Sequence, residues 1–176
     1  MWAPGRWSRS WGGSSRECTA SAADWLHLWR LTRAPFQDLD GEGARRFGGR
    51  WNGAGVAVVY TSSTLALAVL ELLVHVDAEE MPNDLVALCI EGPDSASQHR
   101  VPPEALPPDW NRILDHPACR KAGEQWAQEG RSALLRVPSA IVPEEENVLL
   151  NPAHPEAAGF VVTARRAFAL DARLLR

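Results

Sequence analysis

The segment TLALAVLELLVH, residues 64–75, constrains the fold more than any other part of the sequence. It predicts a helix, because the preceding serines offer an N-cap at Ser62 or Ser63 and the apolar residues that follow are interrupted only at Glu71. Aliphatic side chains surround such a helix in nearly every direction, so most of it is expected inside the protein. A buried, unpaired carboxylate costs roughly several kcal/mol, so Glu71 requires a charged partner, hydrogen-bond donors or a cleft. A structural ion pair and a catalytic carboxylate in a pocket both fit this requirement.

The order of the other predicted elements indicates the fold class. Strand, loop, strand, helix, strand and helix are followed by several strands without intervening helices, which predicts an α+β fold with mainly antiparallel pairing. The second helix, residues 117–130, starts with proline and ends with glycine. Pro138 interrupts its strand and therefore belongs at a sheet edge or a bulge. Strands are predicted at residues 26–31, 56–60, 84–90 and 132–142 and within NVLLNP, GFVVTA and AFALD, with a glycine-rich loop at 38–55 and an irregular stretch at 93–108.

Composition and charge restrict the class of protein. With 176 residues, 45% of them hydrophobic, the chain can bury one sizeable core. A net charge of -4 argues against a general nucleic-acid binder, and no apolar run reaches the roughly 18 residues that a membrane helix needs. Residues 1–25 have no periodic apolar face and are expected to be an extension, with a transit peptide or a misassigned start codon as alternatives. One domain is predicted for residues 26–176.

The cysteines and histidines do not predict a metal site. Cys18, Cys89 and Cys119 are far apart and form no Cys-x-x-Cys pair, and no two histidines have the spacing of helical metal ligands. We therefore expect neither a disulfide framework nor a bound metal, as in a cytoplasmic protein.

Two other motifs do not indicate a known chemistry by themselves. In GEGARRFGG, Arg46 occupies the place of the third glycine of a dinucleotide fingerprint, and no apolar strand precedes the motif. Ser139 follows the strand break at Pro138, where a serine commonly satisfies the backbone of its own turn. The spacing shows no histidine and aspartate that would activate Ser139 as a nucleophile.

Several ordered blocks of the sequence resemble the RES domain family, the toxin halves of bacterial toxin–antitoxin pairs. The matching blocks are LWRLTR, DGEGARRFGGRWN, VVYTSSTLALAVLELLVH, LRVPSAIVPEEENVLLNPAHP and FALDARLL. The resemblance implies an ADP-ribosyltransferase-like fold, with a mainly antiparallel split sheet, a few helices and NAD bound in a cleft. It also implies a helix-turn-helix antitoxin of the Xre type as partner, and it leaves open whether the chain forms a homo-oligomer.

The resemblance further implies a reaction, in which NAD is the substrate and its nicotinamide–ribose bond is broken. Water or inorganic phosphate is the expected acceptor, so the chain is expected to be an NAD glycohydrolase or an NAD phosphorylase. Two alternatives are a protein ADP-ribosyltransferase that uses the same site and a catalytically inactive interaction module.

The arginine, glutamate and serine that give the family its name correspond to Arg30, Glu71 and Ser139. The resemblance implies that Glu71 stabilises the positive charge that develops on the ribose. It implies that Arg30 holds the pyrophosphate of NAD, since arginine suits bidentate phosphate contact. Ser139 is expected to fix the nicotinamide ribose or the carboxamide.

Three further residues match positions that the family uses around NAD. Arg50 is expected to help hold the pyrophosphate, and Tyr60 to stack on or hydrogen-bond to the nicotinamide end. Asn151, in LLNP, falls on another family motif and is expected to belong to the NAD site.

Overall fold

The computed structural model describes residues 25–76, 80–112 and 116–175 and organises them around one β-sheet. The strands are β1 (Trp25–Arg33), β2 (Val59–Ser62), β3 (Leu85–Pro93), β4 (Gln98–Arg100), β5 (Leu134–Pro138), β6 (Glu146–Leu150) and β7 (Val161–Ala167). The helices are α1 (Glu42–Phe47), α2 (Leu65–Leu73) and α3 (Pro117–Glu129), and short 3-10 turns lie at Ala34–Phe36, Pro103–Ala105, Pro155–Gly159 and Ala172–Leu175.

The strand order is β4-β5-β6-β2-β1-β3-β7, and all neighbours are antiparallel except β4 and β5. The helices lie in the connections and do not alternate regularly with the strands, as they would in a doubly wound fold. The predicted α+β class with mainly antiparallel pairing is confirmed.

The sheet is nearly divided between β1 and β2. β1 pairs with β3 at every position from Trp25 to Arg33, but it pairs with β2 only through Trp29 and Ser62. Strands that share one pair are free to diverge on either side of it, because no further ladder bonds hold them at the usual spacing of about 4.8 Å. The predicted split of the sheet takes this form, and α2 packs against β1 and β2 beside the gap.

Both faces of the sheet are buried, as the alternation of side chains along β5 and β6 shows. Leu134 and Leu150 belong to one hydrophobic cluster, whereas Leu135 and Leu149 belong to another. Burial of each such side chain contributes roughly 1.5–3 kcal/mol to the free energy of unfolding. This double burial makes β5 and β6 a rigid wall for the neighbouring gap.

Helix α3 covers the second cluster and fixes the glycine-rich loop. Trp126 is buried on α3, and Gly123 lies directly against Trp51 of the loop. A Cβ added at Gly123 would lie 2.0 Å from the carbonyl oxygen of Trp51, so only glycine permits this approach. The helix begins at proline and ends before Gly130, which has a φ of 58°, as the sequence predicted.

The glycine-rich loop contains a short helix, α1, that the sequence did not predict. Glu42 pairs with Arg45 and Arg46, three and four residues later on the same side of the helix. Gly48 ends the helix in the left-handed region with a φ of 73°. The acid-to-base spacing was the missed signal, because the glycines around it indicated a loop.

The N-cap of α2 differs from the predicted one. Thr64, and not Ser62 or Ser63, caps the helix, and its side chain accepts a hydrogen bond from the backbone N of Leu67 at 3.1 Å. Ser62 instead belongs to β2, which begins at residue 59 and not at 56. The Ser62 hydroxyl therefore does not cap α2 and instead donates to Asn147 at the cavity described below.

The prediction that most of α2 lies inside the protein is wrong. Only Leu67 and Ala68 of the helix are buried, and Leu70 is 39% exposed. One side of α2 packs on the sheet while the other side faces solvent.

No helix in the described ranges is long and apolar enough to span a bilayer.

Three smaller differences concern strand boundaries. β4 lies within the stretch 93–108 that was predicted to be irregular, and β7 ends at Ala167, so AFALD forms no separate strand. Pro138 ends β5 beyond residues 134–136, which pair with β4. The predicted strand at 132–142 therefore stops at Pro138, where β5 is paired with β6 on one side only, although β5 itself lies inside the sheet.

Candidate active site

A cavity of about 290 Å³ opens beside the gap between β1 and β2. Its walls come from β1, the loop after α1, β2, α2 and the facing ends of β5 and β6. The polar and charged residues that line it are Arg30, Arg50, Tyr60, Thr61, Ser62, Glu71, His75 and Asn147. The gap in the sheet thus collects side chains from distant parts of the chain.

Glu71 presents its carboxylate at the wall of this cavity. The Oε1 atom accepts a hydrogen bond from Ser139 Oγ at 2.8 Å and another from Asn147 Nδ2 at 2.5 Å. Neither donor is charged, and within the described residues Glu71 forms no ion pair and its Oε2 atom accepts no hydrogen bond. One carboxylate oxygen is therefore fixed, and the other remains available to a ligand.

Ser139 supports Glu71 from behind and does not line the cavity. The side chain has no exposed surface, and its hydroxyl accepts hydrogen bonds from the backbone N of Ile141 and Val142, both at 3.1 Å. These two bonds are those of an ordinary turn serine, and they orient the hydroxyl hydrogen toward Glu71. The structure therefore joins Ser139 to the site through Glu71.

Asn147 is the site residue that the sequence missed. Its Nδ2 donates to Glu71, while its Oδ1 accepts a hydrogen bond from Ser62 Oγ at 2.7 Å. Ser62 thereby fixes which end of the amide faces the carboxylate. Asn147 follows the acidic run at 144–146, which indicated only a solvated turn, and its role depends on the pairing of β6 with β2.

Arg30 is a partly buried cation without a carboxylate partner within the described residues. Its only hydrogen bond is a long one of 3.5 Å from Nη2 to the carbonyl oxygen of Phe36, and its Nε is buried without an acceptor. Burial lowers the pKa of Arg30, and the negative charge of Asp40 only partly offsets this effect. An arginine in this state is prepared to bind an anion.

Arg50 and Tyr60 also line the cavity, but their polar atoms already have partners. Arg50 donates to the carbonyl oxygen of Trp110 at 2.9 Å. The Tyr60 hydroxyl donates to Asn52 Oδ1 at 2.7 Å and accepts from the backbone N of Trp51 at 3.0 Å. Burial raises the pKa of Tyr60, so this hydroxyl remains protonated. The aromatic ring is thus the part of Tyr60 left to contact a ligand.

Asn151 does not reach the cavity, in contrast to the place expected from the family motif. Its Nδ2 donates to the carbonyl oxygen of Ala127 on α3, and its Oδ1 accepts from the backbone N of Ala153. The side chain is only 2% exposed. It connects the end of β6 to α3, which is a structural task.

Comparison with known proteins identifies the family. The family model described as RES domain matches residues 27–171 of this chain. The chain belongs to the RES domain family. A relative named Prs ADP-ribosylating toxin, from Sphingobium sp. (strain YBL2), is 46% identical over 144 residues, which are 79% of this chain and 88% of the relative. A relative named Toxin Res, from Photorhabdus laumondii, is 38% identical over 152 residues, covering 85% of this chain and 97% of the relative.

The fold of this RES domain is also that of a solved structure, a chain of the M.tuberculosis MbcT-MbcA toxin-antitoxin complex. The TM-score is 0.67, with 82% of this chain and 84% of the other chain covered. The two sequences are 20% identical, so this likeness supports the fold alone.

A second cavity of the RES domain, about 390 Å³ in volume, adjoins the first. The two share Arg30, Leu31, Gly48, Tyr60 and Leu72, so Arg30 lies at their boundary. Apolar side chains, among them Phe36, Phe47, Val58 and Leu85, form much of the second wall. We call the two cavities together the trough; Arg30 lines both of them, and Glu71 lines only the first.

One group of possible metal ligands lies within the described part of the RES domain, away from this trough. His27, Cys89 and Glu91 place one ligand atom each within 4.8 Å of one another. Cys89 is disulfide-bonded, contrary to the sequence expectation, so its sulfur is not available as a thiolate ligand. The two remaining residues are fewer than the three or four ligands that zinc takes from proteins.

Proposed function

We propose that this RES domain is the toxin of a toxin–antitoxin pair and an enzyme that breaks the nicotinamide–ribose bond of NAD. The observation that carries the proposal is the carboxylate of Glu71, held by two uncharged donors, with one oxygen unoccupied at a cavity wall. The relatives support the same activity, since one is named an ADP-ribosylating toxin and another a Res toxin.

The proposed reaction needs one carboxylate and no general acid. The ring nitrogen of nicotinamide is positively charged in NAD and becomes neutral when the bond breaks, so this group leaves without a proton. Ordinary glycosidases, in contrast, use a second carboxyl group to protonate the leaving oxygen. Positive charge develops on the ribose, and a carboxylate already in place stabilises it without reorganisation. Glu71 would contact the ribose through Oε2, while the hydrogen bonds from Ser139 and Asn147 fix the position of Oε1.

This scheme gives Ser139 a different task from the one that the family resemblance implied. A hydroxyl with no exposed surface and three hydrogen bonds has no capacity for a direct contact with the ribose or the carboxamide. We therefore assign Ser139 to the positioning of Glu71.

Arg30 would bind the pyrophosphate of NAD. The substrate carries negative charge near its middle, and Arg30 lies between the two adjoining cavities. The first cavity, at about 290 Å³, would take the nicotinamide riboside, and the second, with its apolar wall, would take the adenosine. Arg50, which already donates to Trp110, would add positive charge nearby.

The acceptor of the ADP-ribose group has two candidates. Water or inorganic phosphate is a small acceptor that would enter from solvent, and either would make the chain an NAD glycohydrolase or phosphorylase. A protein acceptor is favoured by the 46% identity to the relative named for ADP-ribosylation of Prs.

Turnover of NAD by the purified chain tests the proposed activity. We expect the wild-type protein to release nicotinamide and the E71Q variant, which keeps the shape but not the charge, to be about 10²- to 10³-fold slower. E104Q is the matched control, because Glu104 is exposed and lies outside both cavities. Intact NAD after incubation with the wild-type protein, or equal rates for wild type and E71Q, would reject the proposal. Intact NAD would favour the inactive interaction module, whereas equal rates would remove Glu71 from the reaction.

Product analysis then separates the acceptors. Mass spectrometry distinguishes ADP-ribose from its phosphorylated form when inorganic phosphate is present. NAD labelled in the adenosine part reveals a modified protein in a bacterial lysate, and label that stays entirely in small molecules would reject the protein acceptor.

The antitoxin partner follows from the same proposal. A helix-turn-helix protein of the Xre type, encoded with the toxin, is expected to bind this chain and suppress NAD turnover in a cytoplasmic setting. Co-purification of the two proteins and loss of activity in the complex test this partner, and size-exclusion chromatography of the free chain tests a homo-oligomer.

A further inference from the structure

His75 lies at the exposed edge of the first cavity, one helical turn after Glu71. We propose that His75 is the general base that takes the proton from the acceptor when ADP-ribose is transferred. This inference rests on the proposed function and adds a residue for the second half of the reaction, which Glu71 does not explain.

The hydroxyl groups around the cavity are all committed to other bonds. Thr61 Oγ1 donates to the carbonyl oxygen of Val148, and Ser62 Oγ donates to Asn147. The Tyr60 hydroxyl has both a donor and an acceptor. None of these three groups is arranged to receive a proton from an incoming molecule.

The remaining polar side chains of the cavity have other chemical limits. The guanidinium groups of Arg30 and Arg50 have no lone pair to accept a proton. Glu71 has one oxygen occupied twice, and the other is needed opposite the ribose cation. The imidazole of His75 has no hydrogen bond or ion pair within the described residues. Among the polar side chains that line the cavity, the His75 imidazole therefore has a ring nitrogen that can accept a proton and has no other bond in the described residues.

The position of His75 fits an acceptor that arrives from solvent. Residues four apart in this region of chain lie on the same side, about 5–6 Å apart at Cβ, so His75 is a neighbour of Glu71. Glu71 is partly buried and held from behind, whereas His75 is exposed. A base at the entrance meets the acceptor before it reaches the ribose.

The proton and electron changes are simple. The bond between ribose C1′ and the nicotinamide nitrogen breaks, and its electron pair goes to the nitrogen. The oxygen of a water or protein hydroxyl acceptor forms a new bond to C1′, and its proton moves to the imidazole of His75, which later releases it to water. The step balances without an oxidant or a reductant.

Nicotinamide exchange provides a reaction that breaks and forms the same bond without this proton transfer. Added isotope-labelled nicotinamide attacks C1′ through a ring nitrogen that carries no proton, so exchange into NAD needs Glu71 but no general base. Total transfer is measured beside it, as free ADP-ribose plus label bound to protein. The ratio of the two rates is the readout.

The variants are H75A and H75Q, with H99A as the control, because His99 is exposed on β4 and lines neither cavity. We expect H75A and H75Q to lower total transfer about 10²-fold while exchange stays within about threefold of the wild-type rate. H99A should change neither rate, and melting temperatures should be unchanged because the His75 ring has no partner within the described residues.

Two results would overturn the inference. Equal loss of exchange and transfer would mean that His75 acts on NAD binding or bond cleavage, and unchanged transfer would mean that it has no role in the reaction. A wild-type protein inactive in both assays is a distinct outcome, since it would reject the proposed function itself and this inference with it.

Discussion

The charged groups on the two sides of the cavity differ in how completely the protein satisfies their hydrogen bonds. On the α2 side, the negative charge of Glu71 is held by hydrogen bonds from Ser139 and Asn147, and Ser62 orients the asparagine in turn. On the β1 side, the guanidinium of Arg30 is partly buried, with one long hydrogen bond and a buried Nε that has no acceptor.

We interpret this difference as one between a catalytic group, Glu71, and a ligand-binding group, Arg30. A carboxylate that must face a short-lived cation works best when it does not move, so its supporting bonds are complete without substrate. An arginine that must hold a phosphate keeps its donors unoccupied, because a structural partner would compete with the ligand. The poorly solvated cation lowers the free energy of unfolding, and this loss arises on the binding side only.

After E71Q, the largest expected effect on the two sides of the cavity comes from moving the carboxylate without removing its charge. E71D withdraws the group by about one methylene, so it cannot keep both donors and also reach the ribose. We expect kcat for NAD cleavage to fall about 10²-fold, because displacement by about 1 Å has this effect in oriented sites. Steady-state kinetics measures it, with E104D as the control. An E71D variant as fast as the wild type would show that position is unimportant on the α2 side.

Removal of one supporting donor should have the next largest effect. N147A leaves Glu71 held by Ser139 alone, and we expect kcat to fall about 10-fold with little change in KM, since a hydrogen bond to a charged group contributes about 1.5–3 kcal/mol. N83A, at an exposed asparagine, is the control. A rise in KM at constant kcat would instead make Asn147 a substrate-binding residue and break the comparison.

The binding side is expected to respond in KM and not in kcat. R30Q removes the cation, and we expect KM for NAD to rise about tenfold, within the energy of a charge-assisted hydrogen bond. The melting temperature should stay equal or rise, because a buried charge without a carboxylate partner is removed. R173Q, at an exposed arginine that pairs with Asp171 and lines neither cavity, is the control. A large fall in the melting temperature of R30Q would identify Arg30 as a structural residue.

The smallest effect on activity is expected at Tyr60, which lines both cavities. Y60F keeps the ring but leaves Trp51 N and Asn52 Oδ1 without their partner. We expect kcat and KM to stay within about twofold, while the free energy of unfolding falls by about 1–3 kcal/mol. Chemical denaturation and NAD kinetics on the same sample measure both. A loss of activity without a loss of stability would contradict this prediction and indicate that the Tyr60 hydroxyl contacts the ligand.

The sequence predicted the elements whose signal is local. β1 and β3 follow from short apolar runs, and α3 follows from a proline start and a glycine end; each is present near its expected bounds. Predictions failed where two local signals competed. The glycines around α1 concealed its ion pairs, and the aliphatic composition of α2 suggested full burial although one side is exposed.

The candidate site divides in the same way. The unusual setting of Glu71 was visible in the chain, and so was the correspondence of Arg30 and Ser139 to family positions. Asn147 was not visible, because an asparagine after three glutamates predicts a turn. Asn151 was assigned to the cavity from a motif, yet its hydrogen bonds run to Ala127 and Ala153.

What the sequence by itself determined is the family, the α+β class and the presence of an acid that needs polar support, since composition and short-range spacing encode these properties. Only the tertiary structure decided which atoms give that support. Ser139 and Asn147 are 68 and 76 residues from Glu71, and hydrogen bonds of 2.8 and 2.5 Å across such separations depend on strand register. A shift of one residue in the pairing of β6 would turn Asn147 to the other face of the sheet, and no local pattern carries that information.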